Sequence, residues 1–538
     1  MKSILSIEQK KFGMGLKKIV FFGLFSNMHQ ISFFSAYILC EVKKMKLNEL
    51  LVDTDVSKIV GYIEDIEILD ITLSSRHSKQ GSLFVAQKGE NFDGHFFVEE
   101  AIINGAVAIV VEKYLPAYNI PQIVVKSTRR AIASLAATFY GEPHKKLKFI
   151  GVTGTNGKTS CALFIAEILN SSNLPCAFIG TTGAFFQGKE FSSHLTTPDP
   201  LVLHKLLKAF LDLGAKYVCM EVSAHAIKLE KVFNITFEVG ILTNITQDHL
   251  DYFKTMNAYS KTKLSWLQSE KVKTIIVNAD DKYGQKLLGK KLETLSFGLE
   301  NPADVFAVNI ENNPLGFSFT LNLLDNVFCC HTKLVGTFNL YNILAVASGC
   351  FCLGLPIKTL QKSISLLSPP KGRFNTLHLK DNKTIIVDFA HTPDGLENAL
   401  KSARKLCTDG KLYALFGCGG DRDKLKRPIM GRIAEQNADF VILTSDNPRF
   451  EKPENILSDI EKGFLGHNYL KIADRKLAIF KLIECLAPND IAVVCGKGGE
   501  NYQDINGIKL PYDDFDEIKK SAKTILDEEP TKIKESLC

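Results

Sequence analysis

The sequence predicts an α/β protein of three domains, two of them built on largely parallel sheets. Three observations carry this reading. Apolar strand-like runs alternate with helix-like runs from residue 146 onward, a breaker "SPPKG" (368–372) divides that alternation in two, and 538 residues are too many for one hydrophobic core.

Residues 1–44 stand apart. Their apolar stretch "IVFFGLFSNMHQISFFSAYIL" (19–39) is interrupted by Ser-Asn-Met-His-Gln, which is costly in hydrocarbon, so no stable membrane insertion is expected. It has no small-x-small cleavage site, and Leu39-Cys40 is a poor lipid-attachment signal. The expectation is a non-conforming N-terminal extension, after which Met45 opens "MKLNELL" as the start of an amphipathic first helix.

Residues 45–145 mix short β-like runs ("GSLFVAQ", "AVAIVVE", "PQIVVK") with one helical pattern, "TRRAIASLAATFYG". Residues 146–368 read strand, helix, strand: "KFIGVTG", "CALFIAEILN", "PCAFIG", "YVCMEVS", "FEVGILTNIT", "TIIVNADD". Residues 369–538 repeat the alternation with "TIIVDFA", "KLYALFG", "ADFVILTS" and "DIAVVCGKG", each ending in a polar loop. In such sheets ligand groups gather at the carboxyl ends of the strands. No internal repeat or low-complexity segment is present.

Composition excludes several classes. Apolar content of 45% and charged content of 23% are those of an ordinary soluble protein. The net charge of +6 comes almost wholly from residues 1–44, where seven lysines face two glutamates; the remainder is near neutral, with no aromatic-interleaved basic patch for nucleic acid. Thirteen cysteines without a CxxC pair fit free thiols in a reducing cytosol, with Cys329, Cys330, Cys350 and Cys352 read as core residues.

"GVTGTNGKTS" (151–160) follows one apolar run and precedes another. A standard phosphate loop would place glycine at 152, where this chain has Val152. The logic survives: Gly151, Gly154 and Gly157 let backbone N–H groups turn toward phosphate, and the next helix offers its positive N-terminus. Lys158 can neutralise β/γ charge and the Thr159 hydroxyl can meet Mg²⁺. A ligand-free glycine turn would not explain Lys-Thr at a helix start. Glu221 in "MEVSAHA" ends an apolar strand and is a natural magnesium ligand. Asp248, His249 and Asp251 cluster in "TNITQDHLDYF", either as metal chemistry or as a buried hydrogen-bonded pair. The base-reading motif of a GTPase is absent there.

These motifs, with "TTPDP" (196–200), "GTFNLYNILA" (336–345), "VDFAHTPDGLENAL" (387–400), "FGCGGDRDKLKRP" (416–428), "SDNPR" (445–449) and "GKGGENYQ" (496–503), resemble the Mur ligases. These are the ATP-dependent amino-acid ligases of bacterial peptidoglycan assembly, and the set is most similar to their diaminopimelate-adding branch. The resemblance runs from about Met45 to near residue 516. It implies a P-loop-like ATPase domain over 146–368, a Rossmann-like amino-acid-binding domain over 369–538, and a UDP-substrate-binding domain over 45–145. It also implies ATP and Mg²⁺ as cofactors, small-molecule partners, a cytoplasmic location and a monomer.

In that family the γ-phosphate activates a carboxylate, and an amine displaces the phosphate to leave an amide. The resemblance then assigns roles. Lys158, Lys263, His249 and Glu221 are the catalytic set. Thr159, Glu221, His249 and Lys263 as its carbamate form the metal set; without the resemblance, Lys263 would read as a solvent-facing helical lysine. Gly154, Thr155, Asn156, Gly157, Lys158, Thr159, Ser160, Asn278, Asn339, Asn342, Arg373 and Asp388 surround ATP. Leu73 and Ser75 hold the uridine part, and Thr196, Thr197, Ser223 and Lys231 the muramoyl-dipeptide part. Arg422, Asp446, Asn447, Pro448, Arg449, Gly496 and Glu500 receive diaminopimelate, Arg449 pairing its distal carboxylate with a planar fork and Glu500 accepting from its distal ammonium.

Three positions depart from the family pattern. Leu229-Glu230-Lys231 replaces Gln-x-Arg, keeping charge at Lys231 but no bidentate fork. Gly499 stands where histidine is usual, and Ala224 replaces a serine. Two rival readings stay open: a folylpolyglutamate synthase-like ligase of the same superfamily, and a nucleotide-dependent switch without ligase chemistry.

Because residues 1–44 lie outside the resemblance, a chain beginning at Met45 is expected to keep full activity and solubility. Loss of the folding transition in that chain, followed by circular dichroism, would show the extension to be structural.

Overall fold

The computed structural model describes residues 44–535, apart from positions 90–91, 194, 291–292 and 314–315. The apolar stretch 19–39 lies outside the described residues. Among those described, no helix is long and apolar enough to cross a membrane.

The first sheet contains β1 (Val56–Val60), β2 (Asp70–Thr72), β3 (Ser82–Val85), β4 (Ala106–Val111) and β5 (Gln122–Val125). Their spatial order is β1-β5-β4-β3-β2, parallel except for the β1/β5 edge. Helix α1 (Thr128–Phe139) starts where the Ser127 side chain accepts from the Arg130 N–H, and it lays Ala131, Ile132, Leu135 and Phe139 on the sheet. The helix expected from Met45 is reduced to one turn. Met45 and Lys46 pair antiparallel with Ile68 and Glu67, and only Leu47–Leu50 is helical before "DTD" turns the chain into β1. Leu47 and Leu50 are buried, so the apolar spacing served one turn rather than a full helix.

The second sheet is the largest. It is built from β6 (Lys148–Thr153), β7 (Cys176–Gly180), β8 (Gly183–Phe186), β9 (Lys189–Phe191), β10 (Tyr217–Glu221), β11 (Phe237–Leu242), β12 (Val272–Asn278), β13 (Thr294–Gly298), β14 (Val305–Asn313), β15 (Gly316–Leu323) and β16 (Asn326–Thr332). The order is β9-β8-β7-β10-β6-β11-β12-β13-β14-β15-β16, parallel from β7 to β14 and antiparallel at both margins. Helices α2 (Lys158–Ser171) and α5 (Thr337–Cys352) cover one face, and α3 (Pro200–Asp212) and α4 (Met256–Leu267) the other. Two buried faces explain why the central strands read as unbroken apolar runs. The antiparallel margins were not visible as such in the sequence.

The thiol expectation needs correction. Cys330 and Cys350 are buried, but Cys329 and Cys352 are exposed. Alternation along β16 turns Cys329 outward, and α5 carries Cys352 onto its outer side.

The third sheet holds β17 (Asn375–His378), β18 (Thr384–Asp388), β19 (Leu412–Phe416), β20 (Phe440–Leu443), β21 (Tyr469–Lys471) and β22 (Ile491–Cys495), in the order β17-β18-β22-β19-β20-β21. Only β17 runs antiparallel. Helices α6 (Pro393–Leu406), α7 (Lys426–Asn437), α8 (Arg475–Cys485) and α9 (Asp514–Glu535) accompany it.

One buried ion pair fastens α9 to this sheet. The Arg475 Nε and Nη2 donate to the Asp514 carboxylate at 2.8 and 2.8 Å, and neither side chain has solvent exposure. Nη2 also donates to the Cys495 carbonyl at 2.9 Å and Nη1 to the Ser445 carbonyl at 3.4 Å, at the ends of β22 and β20. Removing the carboxylate would leave the guanidinium enclosed without its counter-charge. Asp514→Ala is expected to cost about 3–5 kcal/mol in urea unfolding, whereas the paired apolar replacement Arg475→Met with Asp514→Leu loses much less. Equal losses in the two would mean that packing, not the charge pair, holds the helix.

Candidate active site

Strand β6 lies in the middle of the second sheet, with β10 and β11 on its two sides. The chain leaves β6 for β7, returns to β10, then crosses to β11, so the strand order reverses around β6. A crevice forms at the carboxyl ends of such strands. "GTNGKTS" fills it. Val152 is an interior residue of β6 with no exposure, which is why a side chain is tolerated where a standard loop has glycine. Gly157 caps α2 at φ 82°, and a β-carbon there would meet the Asn342 Oδ1 at 2.6 Å. The Lys158 ammonium folds back on the Gly154 and Thr155 carbonyls at 3.0 and 2.8 Å. Burial pushes its pKa down, opposed by the charges of Glu221 and Asp248. Thr159 and Ser160 are buried in the first turn of α2.

Glu221 ends β10 opposite Val152 and is fully buried. Its oxygens accept from the Thr181 backbone N–H at 2.7 Å and the Thr181 hydroxyl at 3.1 Å. His249 caps the short turn after β11 in the left-handed region, φ 54°, a conformation that costs about 1–3 kcal/mol for a non-glycine residue. Its ring meets His225 and Tyr259 edge-on at 4.8 and 6.2 Å. Lys263, on α4, is not solvent-facing: it is 1% exposed, donates to the Gly154 carbonyl at 2.5 Å and lies 4.8 Å from the Tyr259 ring. Burial, with the Lys158 charge beside it, holds its pKa well below that of an ordinary lysine.

Among the described residues, no three His, Cys, Asp or Glu side chains form a metal cage. Magnesium uses one or two protein carboxylates and otherwise phosphate and water oxygens. Glu221 and Thr159 supply hard oxygens, and a lysine held toward its neutral amine is the form that takes up CO₂. The donor set therefore fits the expected ion.

The third sheet faces this crevice. Arg373 Nη2 donates to the Thr159 hydroxyl at 2.9 Å, and the guanidinium lies 4.4 Å from the Phe389 ring. Burial lowers the Arg373 pKa and raises that of Asp388, whose oxygens accept from the Phe374 and Ala390 N–H groups at 2.8 and 2.8 Å. The Asn156 Nδ2 donates to Asp394 at 2.6 Å, and its side-chain Oδ1 accepts from the Thr392 hydroxyl at 3.3 Å. Asn278 donates to the Thr243 carbonyl at 2.9 Å, and Asn342 to Asn339 at 3.1 Å. Thr155 exchanges hydrogen bonds with Thr246 at 3.1 and 3.0 Å. Asp248, singled out in the sequence, is approached from the third sheet by His391 and Lys426, each at 3.8 Å. Thr392, Asp394, His391 and Lys426 were not foreseen, because only packing of one sheet against the other brings them here, and Thr181 was not because it reaches Glu221 through the pairing of β7 with β10.

The other expected substrate residues lie toward the first sheet. Thr197 donates to the Glu221 carbonyl at 2.8 Å and to the Ser223 hydroxyl at 3.4 Å, while the Thr196 and Thr181 hydroxyls lie 3.0 Å apart. Lys231 pairs with Asp199 at 2.8 Å and reaches the Thr197 carbonyl at 3.4 Å, so the departed sequence still sends a cation to the "TTPDP" loop. Its neighbour Glu230 pairs with Arg130 of α1 at 2.9 Å. Ala224 is buried in the turn that Ser223 caps. Ser75 donates to Glu100 at 2.6 Å, and Leu73 packs against the core of the first sheet. No hydrogen bond or ion pair joins these two to the phosphate loop among the described residues.

The loops expected to receive the donor follow β19, β20 and β22. Arg449 has φ 51°, held there because its N–H donates to the Asp504 carbonyl at 3.0 Å and its carbonyl accepts from Asn506 at 2.8 Å. Its Nη1 donates to the Gly420 carbonyl at 2.6 Å. Arg422 is exposed at the mouth. Gly496 packs on Asp446, whose carbonyl accepts from Gln503 at 2.7 Å, and the Pro448 carbonyl accepts from Glu451 at 3.0 Å. Under these loops, unforeseen from sequence, Arg427 is fully buried and grips Glu451 at 3.0 and 2.9 Å and Asp459 at 3.0 Å. That fork, through its hydrogen bond, holds the Glu451 carboxyl down at about 2. Gly499 rests against the interdomain connection: a β-carbon there would lie 2.7 Å from the Lys371 carbonyl, which explains its glycine locally.

The comparisons agree with this layout. Residues 67–140 match the Mur ligase family catalytic domain, 152–350 the Mur ligase middle domain, and 372–498 the Mur ligase glutamate ligase domain. A protein of Bacillus velezensis, named UDP-N-acetylmuramoyl-L-alanyl-D-glutamate–2,6-diaminopimelate ligase, is 40% identical over 480 residues, covering 87% of this chain and 97% of the relative. One of Aquifex aeolicus with the same name is 41% identical over 456 residues, covering 84% and 92%. A solved structure carrying that name superposes with a TM-score of 0.62 at 32% identity, covering 87% of this chain and 97% of that one. With each of the three sheets matched in chain order and such relatives spanned almost end to end, the chain belongs to the Mur ligase family.

Proposed function

We propose that this chain joins meso-2,6-diaminopimelate to UDP-N-acetylmuramoyl-L-alanyl-D-glutamate at the expense of ATP, in peptidoglycan synthesis. The observation that supports it most is the meeting of two strand-end crevices: the phosphate loop on one side, the Arg449 and Glu500 loops on the other, bridged by Arg373 to Thr159 and Asn156 to Asp394. The names of the relatives point the same way.

The chemistry follows from charge. A carboxylate approaching ATP meets anionic repulsion, which Lys158 and Arg373 offset at the loop and at the Thr159 hydroxyl. The D-glutamate side-chain oxygen takes the γ-phosphoryl group and ADP departs. The donor amine then attacks the acyl carbon, the carbon–oxygen bond to phosphate breaks, and the amine loses its proton as the amide forms. Mg²⁺, held by Glu221, Thr159, His249 and the Lys263 carbamate, would add positive charge at the transferring phosphate. The domains act in turn: 45–145 grips the uridine end through Leu73 and Ser75, 146–368 binds ATP, and 369–538 binds the donor. Thr196, Thr197, Ser223 and Lys231 line the path between the first two. We place the enzyme in the cytoplasm, where its nucleotide substrates are made, as a monomer.

Phosphate release that requires ATP, the UDP-muramoyl dipeptide and diaminopimelate together tests this reading. Release with a folate and glutamate instead would favour the folylpolyglutamate reading, and nucleotide binding without turnover the switch reading. Lys263→Ala is expected to lose most turnover yet bind ATP nearly as wild type, and short carboxylates are expected to restore part of the rate by filling the vacated space. Undiminished turnover in that variant would exclude a carbamate role.

Arg449→Ala leaves the donor's distal carboxylate enclosed without its partner. Such truncations cost roughly 2–5 kcal/mol, so the diaminopimelate KM is expected to rise at least about 30-fold. The KM values for ATP and the UDP-substrate stay near wild type, and lysine remains a poor donor for the wild type. Efficient wild-type use of lysine would show that Arg449 does not read the donor.

A further inference from the structure

Lys497, in "GKGGE", has no part in the mechanism above, yet its side chain has no solvent exposure. An ammonium withdrawn from water persists only where it is paired and hydrogen-bonded. Its Nζ donates to the Asn447 Oδ1 at 2.8 Å and to the Glu500 Oε2 at 3.2 Å, with the Tyr502 and Tyr512 rings 5.6 and 5.9 Å away.

The consequence runs through Asn447. A lysine ammonium can only donate, and so can the Asp504 backbone N–H, which reaches the same Asn447 oxygen at 2.9 Å. These two donors fix the amide with its oxygen toward Lys497, and the Nδ2 is then left to donate to the Glu500 Oε2 at 2.9 Å. Lys497 and Asn447 thus hold one oxygen of Glu500 from two directions. No hydrogen bond among the described residues reaches the other oxygen, and the Glu500 side chain is 22% exposed.

We propose that Lys497 is the positioning residue of the donor site: by fixing the Asn447 amide and one Glu500 oxygen, it presents the second oxygen to the donor's distal ammonium. This rests on the donor assignment made under Proposed function.

Lys497→Met keeps length and packing against the two tyrosines while removing the charge. The expected result is a diaminopimelate KM raised about tenfold or more, the loss of one hydrogen bond to a charged group. The kcat and the KM values for ATP and the UDP-substrate stay within about twofold, a split that general loosening of the fold would not give. Lys497→Met combined with Glu500→Gln is expected to be no worse than Glu500→Gln alone, because both act through one contact. If wild type shows no diaminopimelate-dependent phosphate release, the donor assignment itself fails. An active wild type with an unchanged diaminopimelate KM in the variant, or additive effects in the double variant, overturns the role of Lys497 alone. Should Lys497→Met not fold, Asn447→Leu breaks the same relay. It is expected to raise the donor KM alike, and an unchanged KM there overturns the proposal.

Discussion

The hydrogen bond from Arg373 to Thr159 is the constraint on which the rest of the molecule depends. Arg373 sits just after the "SPPKG" connection, and Thr159 lies in the first turn of the helix behind the phosphate loop. Each sheet alone offers half of a site at its strand ends. The 2.9 Å contact brings those ends face to face and fixes a cation beside the glycine-rich loop. Asp388 holds the next residue, Phe374, by its backbone N–H at 2.8 Å, so the carboxyl end of β18 sets where the arginine starts.

Buried cations divide the site into two kinds of chemistry. Arg427, Arg475 and Lys497 are enclosed, and each is paired with a carboxylate: Glu451 and Asp459, Asp514, and Glu500. Such pairs add little net stability, but each fixes one geometry in the third domain. Lys263 is equally enclosed but meets a backbone carbonyl and an aromatic face. Without a bonded carboxylate, its burial favours the neutral amine.

Backbone strain, found in many turns of the chain, also occurs on both sides of the crevice. His249 and Arg449, one on each side of the crevice, both have positive φ without being glycine. In each case neighbouring backbone contacts supply the restraint: Tyr252 and Phe253 donate to the His249 carbonyl at 3.2 and 3.0 Å, and Asp504 and Asn506 bracket Arg449. Both backbones are held by the fold against their own preference.

The alternating pattern, the glycine-rich turn before α2 and the carboxylate at the end of β10 were legible in the sequence because each depends on local rules of period and turn chemistry. Helix α1 and strands β6, β10 and β11 stand where their apolar runs put them. The one-turn start at Leu47 and the outward Cys329 and Cys352 were misread, since register and pairing partner, not composition, decide which side of an element faces in. Whether Lys263 met solvent or the underside of Gly154 depended on α4 packing beneath β6, more than a hundred residues away in the chain. The grip of Arg427 on Glu451, the approach of His391 to Asp248, and the Lys497–Asn447–Glu500 relay join separate loops of one sheet or two sheets. No spacing rule encodes such contacts. Sequence alone determined the central alternation of strands and helices and the loops at their ends; the tertiary structure decided the sheet margins and which charges are buried together, because burial and pairing are properties of the packed sheets and not of any segment.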